Sequence, residues 1–535
     1  MAKKMARKPI AVPPYMGEEI EADIIIRMPD ETYRLPDPRE LFTMIKLFRE
    51  DINYPLPNQT SIYELIENLR RDSQDQRERD AKERIQGMLD SGISFLPSGF
   101  RLYLDCYHLE ISSPGCANIH DLIVSSRVAE KMLNRMRCLL ENHLNENQKG
   151  HRVKIFKDTT DRQKASYAGH ENYLIHRKSF HLLTDEVTNK TLQFASFVGP
   201  WRIPLTGAGK LGSQNDLPPT YYQISQRADW IEKIIGIDTT FRRPLINTRD
   251  EAHAKYTLVN GKKAQVARLH HICGEPNMSP ASARMRFGYT SLFLLGLQDD
   301  IFDEIQDNII AANPVEAMHI VSRDILGRET IELMNGKKAK FYEVLRVIND
   351  CLRWYFMELR EPTQEQLDLL DEMEYYCDSF AKGPKFYLNK LMELDWIHRL
   401  QLCNLVAGGP EKKYTDLAYS DIDPDESGYY QDLEFLKESN EVKERDLIDE
   451  KEIDRRFENP PTTSRDFLRG NILKKFPAQK SDWETIRLPN WDTLYLEDPH
   501  RGGKDEIGDL VENSDNGREL FEKLKTLEFE VFIDA

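Results

Sequence analysis

Alternation of apolar and polar residues predicts several short β-strands in the first part of the chain. Residues 20–26 begin with an alternating pattern and end in three consecutive isoleucines, as in a strand whose second half is buried. Residues 100–104 follow the turn-forming sequence Pro97-Ser98-Gly99 and predict a second strand. Strand-like segments recur at 151–156, 171–175 and 191–198.

A helical period replaces this alternation in the longer apolar segments. The apolar residues of 126–145, including Val128, Met132 and Met136, recur at helical spacing and predict one helix. The same period predicts helices at 286–298, 340–359, 363–380 and 386–406. The C-terminal segment combines both patterns and predicts strands at 484–488, 492–496 and 527–533 and a helix at 517–526.

Charged and turn-forming residues divide the chain into a tail, a large domain and a small one. Residues 1–14 are basic but lack an apolar segment, which predicts a flexible tail and not a secretory signal. Residues 15–460 form the predicted main domain, and Asn459-Pro460-Pro461 precedes a small C-terminal α/β domain at 465–535. Residues 64–90 carry dense charge of both signs, which predicts a solvated helix or mobile insert.

Composition narrows the class of protein. Of 535 residues, 73 are basic and 90 acidic, which gives a net charge of −17 and argues against broad nucleic-acid binding. The charge suits solubility and a basic or lysine-bearing protein partner. No apolar run reaches the length of a membrane-spanning helix, so no membrane partner is predicted.

The seven cysteines are widely spread and show neither CxxC nor Cys/His zinc spacing. This pattern predicts neither a disulfide framework nor a structural zinc site, and it favours a cytoplasmic location.

Polar residues at strand spacing mark two candidate metal–phosphate sites. Glu19 and Glu21 fall on one face of the first predicted strand, and Arg101, Tyr103 and Asp105 on one face of another. Carboxylate and phenol oxygens suit Mg²⁺, and a guanidinium suits phosphate oxygens. Taken alone, the pair Glu19 and Glu21 favours a solvated strand face, whereas the face of Arg101, Tyr103 and Asp105 is equally consistent with a metal–phosphate site and a solvated edge strand.

The densest charged run is 242–253, which holds three arginines, two acids and a histidine between turn-forming residues. Forked guanidinium groups such as those of Arg242 and Arg249 suit a polyphosphate, with the acids holding them in place. The alternative is a loop held by salt bridges.

Other motifs carry less information. His170-Glu171 lacks the HExxH spacing of a zinc protease. Thr206-Gly-Ala-Gly-Lys210 lacks the GxxxxGK[ST] spacing of a P-loop, which leaves a flexible lid or substrate loop as the alternative.

In their order along the chain, these runs resemble the motifs of the Pup ligase and Pup deamidase/depupylase family. Met16-Gly-Glu-Glu-Ile-Glu21 is similar to the family's MG-x-E-x-E, and Arg101 to Asp105 to its R-[LF]-Y-[LV]-D. Further similar segments, over roughly 15–505, are His108-Leu-Glu110, His170-Glu-Asn-Tyr-Leu174, Thr206–Gly209, Ser225–Asp229, Asn247–His253, Arg268–His270, Gly274–Ser279, Arg469-Gly470 and Asp482-Trp483.

The resemblance implies an α+β, glutamine-synthetase-like fold with a curved antiparallel sheet backed by helices. It implies that Asp105 is the catalytic aspartate. It further implies metal ligands at Glu19, Glu21, Tyr103, Glu110, His170 and His253. The nucleotide- or phosphate-contacting positions that it implies are Arg101, Ser113, Arg249 and Trp483.

The implied reaction uses ATP, or ADP plus phosphate, together with Mg²⁺. It takes place at the C-terminal Gln or Glu side chain of a small Pup-like protein modifier, which is attached to lysine-bearing proteins. The enzyme would deamidate this side chain or cleave its isopeptide bond; the alternative is a ligase that forms the bond through a glutamyl phosphate.

Three features resemble the deamidase branch, and one resembles the ligase branch. The deamidase-like features are the five-residue step from Asp105 to Glu110, the segment 235–240 and the insert at 64–90. The segment 496–501 resembles a ligase ending.

The chain departs from the family pattern at Ala22-Asp23, Leu109 and Ser420, where the family has Tyr-Gly, Pro and His. These departures motivate a second alternative, an inactive nucleotide-binding homologue. A third is a small-molecule glutamate–amine ligase.

Overall fold

The computed structural model describes residues 10–54, 95–105, 108–159, 166–167, 169–438 and 448–534. The side chains of Pro38, Asp105, Asn147 and 434–438 are outside the described part of the chain. The predicted insert at 64–90 and the first nine residues also lie outside it.

The described strands alternate with helices in the first half of the chain and return near its C-terminus. In chain order they are β1 Met16–Arg27, β2 Tyr33–Arg34, β3 Arg101–Asp105, β4 His108–Ser112, β5 Arg152–Phe156, β6 Gly169–His176, β7 Lys210–Leu211, β8 Tyr222–Gln223, β9 Ile231–Gly236, β10 Arg243–Asn247, β11 Tyr256–Val259, β12 Lys262–His271, β13 Ile331–Glu332, β14 Lys338–Ala339, β15 Lys480–Ser481, β16 Thr485–Arg487, β17 Thr493–Tyr495 and β18 Glu530–Phe532.

The described α-helices dominate the segment after residue 280. They are α1 Pro38–Asp51, α2 Ile119–Asn147, α3 Arg177–Thr184, α4 Asn189–Ser196, α5 Ile203–Thr206, α6 Pro280–Arg284, α7 Thr290–Gln298, α8 Pro314–Arg323, α9 Phe341–Leu359, α10 Gln364–Ala381, α11 Pro384–Lys390, α12 Asp395–Leu405, α13 Gly409–Ala418, α14 Gly428–Glu438, α15 Glu450–Glu458, α16 Arg465–Lys475, α17 Lys504–Ile507 and α18 Gly517–Thr526.

Most of the predicted elements are confirmed, with shifts of a few residues at their ends. The predicted helix at 126–145 is the core of α2, and the predicted helix at 517–526 is α18. The predicted helix at 386–406 is instead two helices, α11 and α12.

The strand predicted at 191–198 is wrong. These residues form α4 and the start of a π-helical turn, Phe197–Trp201. Residues 193–201 are all buried, so no polar face is left to reveal the helical period. The usable signal was Thr188, whose side chain accepts from the amide of Thr191 and caps the helix.

The chain forms two compact units, and each is built from three stretches that are separate in sequence. The first unit takes the described residues of 10–18, 118–123 and 157–438, and the second takes those of 19–54, 95–117, 124–156 and 448–534. Strand β1 begins in the first unit and continues in the second.

In the first unit, β12 pairs antiparallel with both β11 and β6. The register places His270 opposite Asn172 and His271 opposite Glu171. Because successive strand residues point to opposite faces, His270 and His271 present their side chains on opposite sides of this strand pair.

In the second unit, β4 lies between β1 and β3 and pairs antiparallel with both. The inner face of this sheet is apolar, because Ile20, Leu102, Leu109 and Ile111 are fully buried. The opposite face carries the polar residues that the alternation predicted.

The C-terminal residues of the second unit have a hydrophobic core of their own. Strands β15 to β18 form a four-stranded antiparallel sheet. Helix α16 contributes Leu468 and Ile472 to this core, and α18 contributes Leu520 and Phe521. Whether this segment is an independent domain stays a prediction.

The predicted flexible tail, 1–14, includes residues that are packed. Ala11 and Val12 are buried, and the backbone amides of Ile10 and Ala11 donate to the carboxylate of Asp299. Among the described helices, none is both long and apolar enough to cross a membrane.

Candidate active site

Three strands of the second unit place a phenol and two carboxylates in one row. Tyr103 on β3 lies opposite Glu110 on β4, and Glu110 lies opposite Glu21 on β1. Directly opposed residues share a face of the sheet, so the three side chains are neighbours. The predicted metal ligands Glu21, Tyr103 and Glu110 are therefore brought together.

The next row of the same face combines an acid, a hydroxyl and a guanidinium. Glu19 lies opposite Ser112, and Ser112 lies opposite Arg101. Glu19 and Ser112 are buried, whereas Arg101 is half-buried with its guanidinium 4.3 Å from the centroid of the Tyr103 ring. This contact joins the two rows.

The Tyr103 phenol is the centre of this face. It donates to the carboxylate of Glu110, and Ser112 donates to the phenol oxygen at 3.3 Å. Burial, followed by the carboxylates of Glu110 and Glu19, raises the pKa of Tyr103 well above its usual range, against the opposing effect of Arg101. The phenol therefore stays protonated.

The donor set fits a hard divalent cation. Two largely buried carboxylates, Glu19 and Glu110, act on one phenol, and burying like charges together is unfavourable unless a cation offsets them. Carboxylate and phenol oxygens are the ligand type that Mg²⁺ prefers. Glu19 and Glu110 would hold the ion, with Tyr103 and Glu21 beside it.

Asp105 ends β3 opposite His108. Asp105 and His108 are the next pair along the strands that share a face with Tyr103 and Glu110. The backbone of Asp105 therefore lies at the edge of the same polar face. Its side chain is outside the described residues.

Two departures from the family pattern face away from this site. Ala22 lies opposite Leu109, and both are buried on the apolar face of the sheet. Ser420 is also buried, where its hydroxyl donates to the carbonyl of Leu417 at 3.0 Å. By alternation along β1, Asp23 shares the face of Glu21 and Ala22 does not.

Beside Arg101, aromatic rings and guanidinium groups form a stack. The Arg101 guanidinium lies 6.0 Å from the centroid of Phe95, whose ring meets Trp483 edge-on at 4.9 Å. On Phe95 also lies the guanidinium of Arg469, at 4.6 Å. Trp483 and Arg101, both predicted to contact nucleotide, are thus linked through Phe95.

Arg469, which the sequence interpretation matched only as part of a motif, fixes this stack. It pairs with Asp466 and donates to the carbonyl of Trp483 at 2.7 Å. Asp466 also accepts from the amide of Gly115 at 3.1 Å. Nearby in sequence, the predicted phosphate contact Ser113 is buried and donates to the carbonyl of Pro114 at 2.9 Å.

The first unit holds a pair of imidazoles. The rings of His170 on β6 and His270 on β12 meet edge to face, with centroids 4.9 Å apart. Imidazole nitrogens are common metal ligands, so this pair fits a cation. His270 was missed by the sequence interpretation, although its position opposite Asn172 follows once the strands are paired.

The run 242–253 is not one cluster of arginines. Arg242 is exposed with a φ of +47°, whereas Arg243 is buried and donates to the carbonyls of Thr239 and Ser166. Arg249 is half-exposed, and its Nε lies 3.7 Å from Glu251.

The acids of this run pair with arginines from elsewhere. Asp250 accepts two hydrogen bonds from Arg177, and Glu251 pairs with Arg268 at 2.7 Å. The predicted metal ligand His253 has a φ of +51° in the same turn. The acids of this run are salt-bridged, as the alternative interpretation expected, while the phosphate contacts of Arg242 and Arg249 and the metal ligand His253 stay predictions.

The glycine-rich run is not a flexible lid. Residues 206–210 are all buried, and the amide of Ala208 donates to Glu275 at 2.7 Å. A Cβ on Gly207 would lie 2.3 Å from the carbonyl oxygen of Ile224. Gly209 has a φ of +73°, and a Cβ there would lie 2.1 Å from the Tyr222 hydroxyl. Glycine is required here for close packing.

A family model described as Pup-ligase protein matches residues 15–494. The chain belongs to the Pup-ligase family.

Two relatives in this family carry different activities in their names. A Pup deamidase/depupylase from Mycolicibacterium smegmatis is 29% identical over 451 residues, which cover 80% of this chain and 82% of that protein. A Pup–protein ligase from Kineococcus radiotolerans is 28% identical over 436 residues, which cover 78% of this chain and 90% of that protein.

Solved structures of the family confirm the predicted fold. The structure of the Pup ligase PafA in complex with ADP matches with a TM-score of 0.65 and 26% identity, covering 82% of this chain and 94% of that one. The complex between Pup and its ligase PafA matches with a TM-score of 0.70 and 23% identity, covering 96% and 95%. The fold is α+β, with a curled antiparallel sheet, backing helices and a C-terminal strand sheet.

Proposed function

We propose that the protein is a nucleotide- and Mg²⁺-dependent enzyme that acts on the C-terminal Gln or Glu side chain of a Pup-like modifier. Its reaction is deamidation of that side chain, or cleavage of its isopeptide bond to a lysine of a target protein. The observation that carries this proposal is the polar face of β1, β4 and β3, where Glu19 and Glu110 surround Tyr103 and the guanidinium of Arg101 lies on its ring.

The residues of this face would have different roles. The carboxylates of Glu19 and Glu110 would hold Mg²⁺, which when bound supplies positive charge for phosphate oxygens. Arg101 offers donors to the same oxygens, and the Phe95–Trp483 pair offers aromatic surface beside it. Asp105, at the end of β3, would take a proton or attack the acyl carbon.

Amide cleavage is favoured over ligation by the spacing between Asp105 at the end of β3 and Glu110 on β4. Asp105 is paired with His108, and Glu110 follows five residues after Asp105, the spacing that resembles the deamidase branch. ATP, or ADP with phosphate, would order the site without being consumed at each turnover.

Two of the departures, Ala22 and Leu109, are compatible with activity, whereas Asp23 lies on the polar face itself. Ala22 and Leu109 fill the apolar side of the sheet together, so they leave the polar face on the other side unchanged. We therefore expect turnover with a modifier substrate, in the cytoplasm, with lysine-bearing proteins as the modified targets.

Two peptide substrates test this function and its direction. One modifier peptide ends in Gln, and the other ends in Glu and is offered with a lysine acceptor. We expect ammonia release from the first peptide, without ADP formation at each turnover. Stoichiometric ADP formation with the second peptide and no ammonia from the first would show a ligase. Nucleotide binding without turnover of either peptide would show an inactive homologue.

A further inference from the structure

The face of the β6–β12 pair opposite the two imidazoles holds a buried charged network. Glu171 is paired with the forked guanidinium of Arg202, at 2.6 Å and 2.8 Å. Arg202 also donates to Nε2 of His271 at 2.8 Å and to Thr290 at 2.6 Å. We call Glu171, Arg202, His271 and their neighbours the Arg202 network.

Each member of this network is nearly fully buried. Glu171 and His271 are 0% and 1% exposed, and Arg202 is 3% exposed. The phenol of Tyr173 donates to Glu171 at 2.5 Å, so the carboxylate accepts from two different residues. A buried, doubly hydrogen-bonded ion pair of this kind has little freedom to move.

Geometry ties the network to both strands at once. Glu171 belongs to β6 and His271 to β12, and the two residues lie directly opposite each other. One guanidinium binds both, because it presents several donors in a rigid plane. Arg202 belongs to neither strand, and its hydrogen bonds to both hold β6 and β12 in register.

His170 and His270 are the sequence neighbours of these two fastened residues. Alternation along a strand sends them to the other face, where their rings meet at 4.9 Å. Any slip or twist between β6 and β12 at the Arg202 network would therefore change the separation of the two imidazoles.

We propose that Arg202 is a positioning residue, which fixes the imidazole pair of His170 and His270 by holding β6 to β12 from the opposite face. The proposal rests on the proposed function, which requires a bound cation, and takes His170 as one of the metal ligands that the family resemblance implies. Groups that orient a metal-binding histidine commonly change metal affinity by about 10- to 100-fold when they are altered.

Mn²⁺ binding to the full-length protein, measured by calorimetry, provides a readout that does not depend on turnover. Arg202→Lys keeps the positive charge but removes the fork that reaches both strands. We expect this variant to weaken Mn²⁺ binding about tenfold or more.

A matched control separates positioning from general loss of stability. Arg399 is equally buried in the first unit and pairs with Asp416 at 2.8 Å and Asp158 at 3.1 Å, but it belongs to α12. Arg399→Lys should lower the melting temperature to a similar extent and leave the Mn²⁺ dissociation constant within about twofold.

His170→Ala distinguishes failure of the positioning role of Arg202 from failure of the proposed function. If His170→Ala weakens Mn²⁺ binding and Arg202→Lys does not, the positioning role is wrong and the proposed function stands. If His170→Ala binds Mn²⁺ as the wild type does, His170 is not a ligand and the positioning role is wrong, whereas a cation held by Glu19 and Glu110 is unaffected.

Should Arg202→Lys not fold, Tyr173→Phe takes its place. It removes one donor to Glu171 and leaves the ion pair. A several-fold weaker Mn²⁺ affinity is expected, and an unchanged affinity would overturn the proposal.

Discussion

Two charged clusters of the molecule, one in each unit, are built in opposite ways. In the Arg202 network one guanidinium donates to a carboxylate and to a neutral imidazole. On the polar face of β1, β4 and β3, two carboxylates act on one phenol and raise its pKa. The first cluster pairs opposite charges, and the second brings two carboxylates and a phenol onto one face, which suits a cation.

Structural and functional charges can be separated by the partners that surround them. A buried carboxylate that is bound by a forked guanidinium contributes to folding, and its removal leaves the guanidinium without its partner. A carboxylate held beside other negative groups costs folding energy and is retained for what it binds.

The largest expected effect is on stability, at Glu171. Glu171→Gln leaves the buried Arg202 guanidinium without its counter-charge, so the free energy of unfolding should fall by about 3–5 kcal/mol. Glu110→Gln, the matched change on the polar face, should cost less than about 1 kcal/mol because it also relieves repulsion. Urea unfolding of both variants, without ligand, measures the difference, and equal losses would contradict the division.

Asp105→Asn should reverse this pattern, with a large loss of activity and little loss of stability. If Asp105 acts as a base, turnover of the Gln-ended peptide should fall by at least about 10². The melting temperature should stay near that of the wild type. Wild-type turnover in this variant would show that Asp105 has another role.

Ligand binding should stabilise the polar face and depend on its acids. ADP and Mg²⁺ together should raise the free energy of unfolding by about 2.7 kcal/mol at 100 times the dissociation constant. In Glu110→Gln, the Mg²⁺-dependent part should disappear and the nucleotide part should remain. A thermal-shift series measures this, and a full Mg²⁺ effect in the variant would remove Glu110 from the ligand set.

The Arg202 network should make stability depend on pH in a defined window. Burial lowers the pKa of His271 from 6.5 to about 3. The attraction of Glu171 opposes this shift in pKa, and the positive charge of Arg202 adds to it. Between these values the unfolded chain binds a proton that the folded protein does not, so stability falls as pH decreases.

From pH 7 to pH 5, His271 should contribute a loss of about 2 kcal/mol. His271→Gln should remove this part of the pH dependence, which urea unfolding at both pH values would show. Measurements at pH 8 serve as the reference, because His271 is neutral there in both states. The same slope in the variant would exclude His271 as its source.

The smallest effect is expected at Trp483. Trp483→Leu removes the edge contact with Phe95 and the ring beside the guanidinium of Arg469, which should cost about 1 kcal/mol of stability. ADP affinity should fall several-fold if this ring lies against the nucleotide. Fluorescence-detected ADP titration measures this affinity. The control is Arg487→Met, which removes the guanidinium beside the exposed ring of Trp491.

Alternation along single strands was enough to predict the polar face. Glu19 and Glu21 on one strand, and Tyr103 on another, follow from the two-residue period alone. Their mutual register does not follow from it, because strand pairing is set by contacts between distant residues. The resemblance to the family, and not the pattern, supplied Glu110.

The Arg202 network could not be predicted in the same way. Arg202 is separated from Glu171 by 31 residues and from His271 by 69, and nothing local marks it. Local density of charge did not show the contacts at 242–253, where Arg243 donates to backbone carbonyls and Arg242 is exposed. The density of charged residues along a sequence does not show which partner each side chain contacts in the folded protein.

The close packing of Gly207 and Gly209 has a consequence for how this family's sequences are interpreted. In a library that randomises 206–210, selected by folding alone, survivors should keep glycine at both positions, since any side chain there meets Ile224 or Tyr222. The same two glycines would be retained over long divergence without taking part in any chemistry. An invariant glycine motif of this kind records a steric limit on the backbone, and catalysis has to be sought in the polar strands instead.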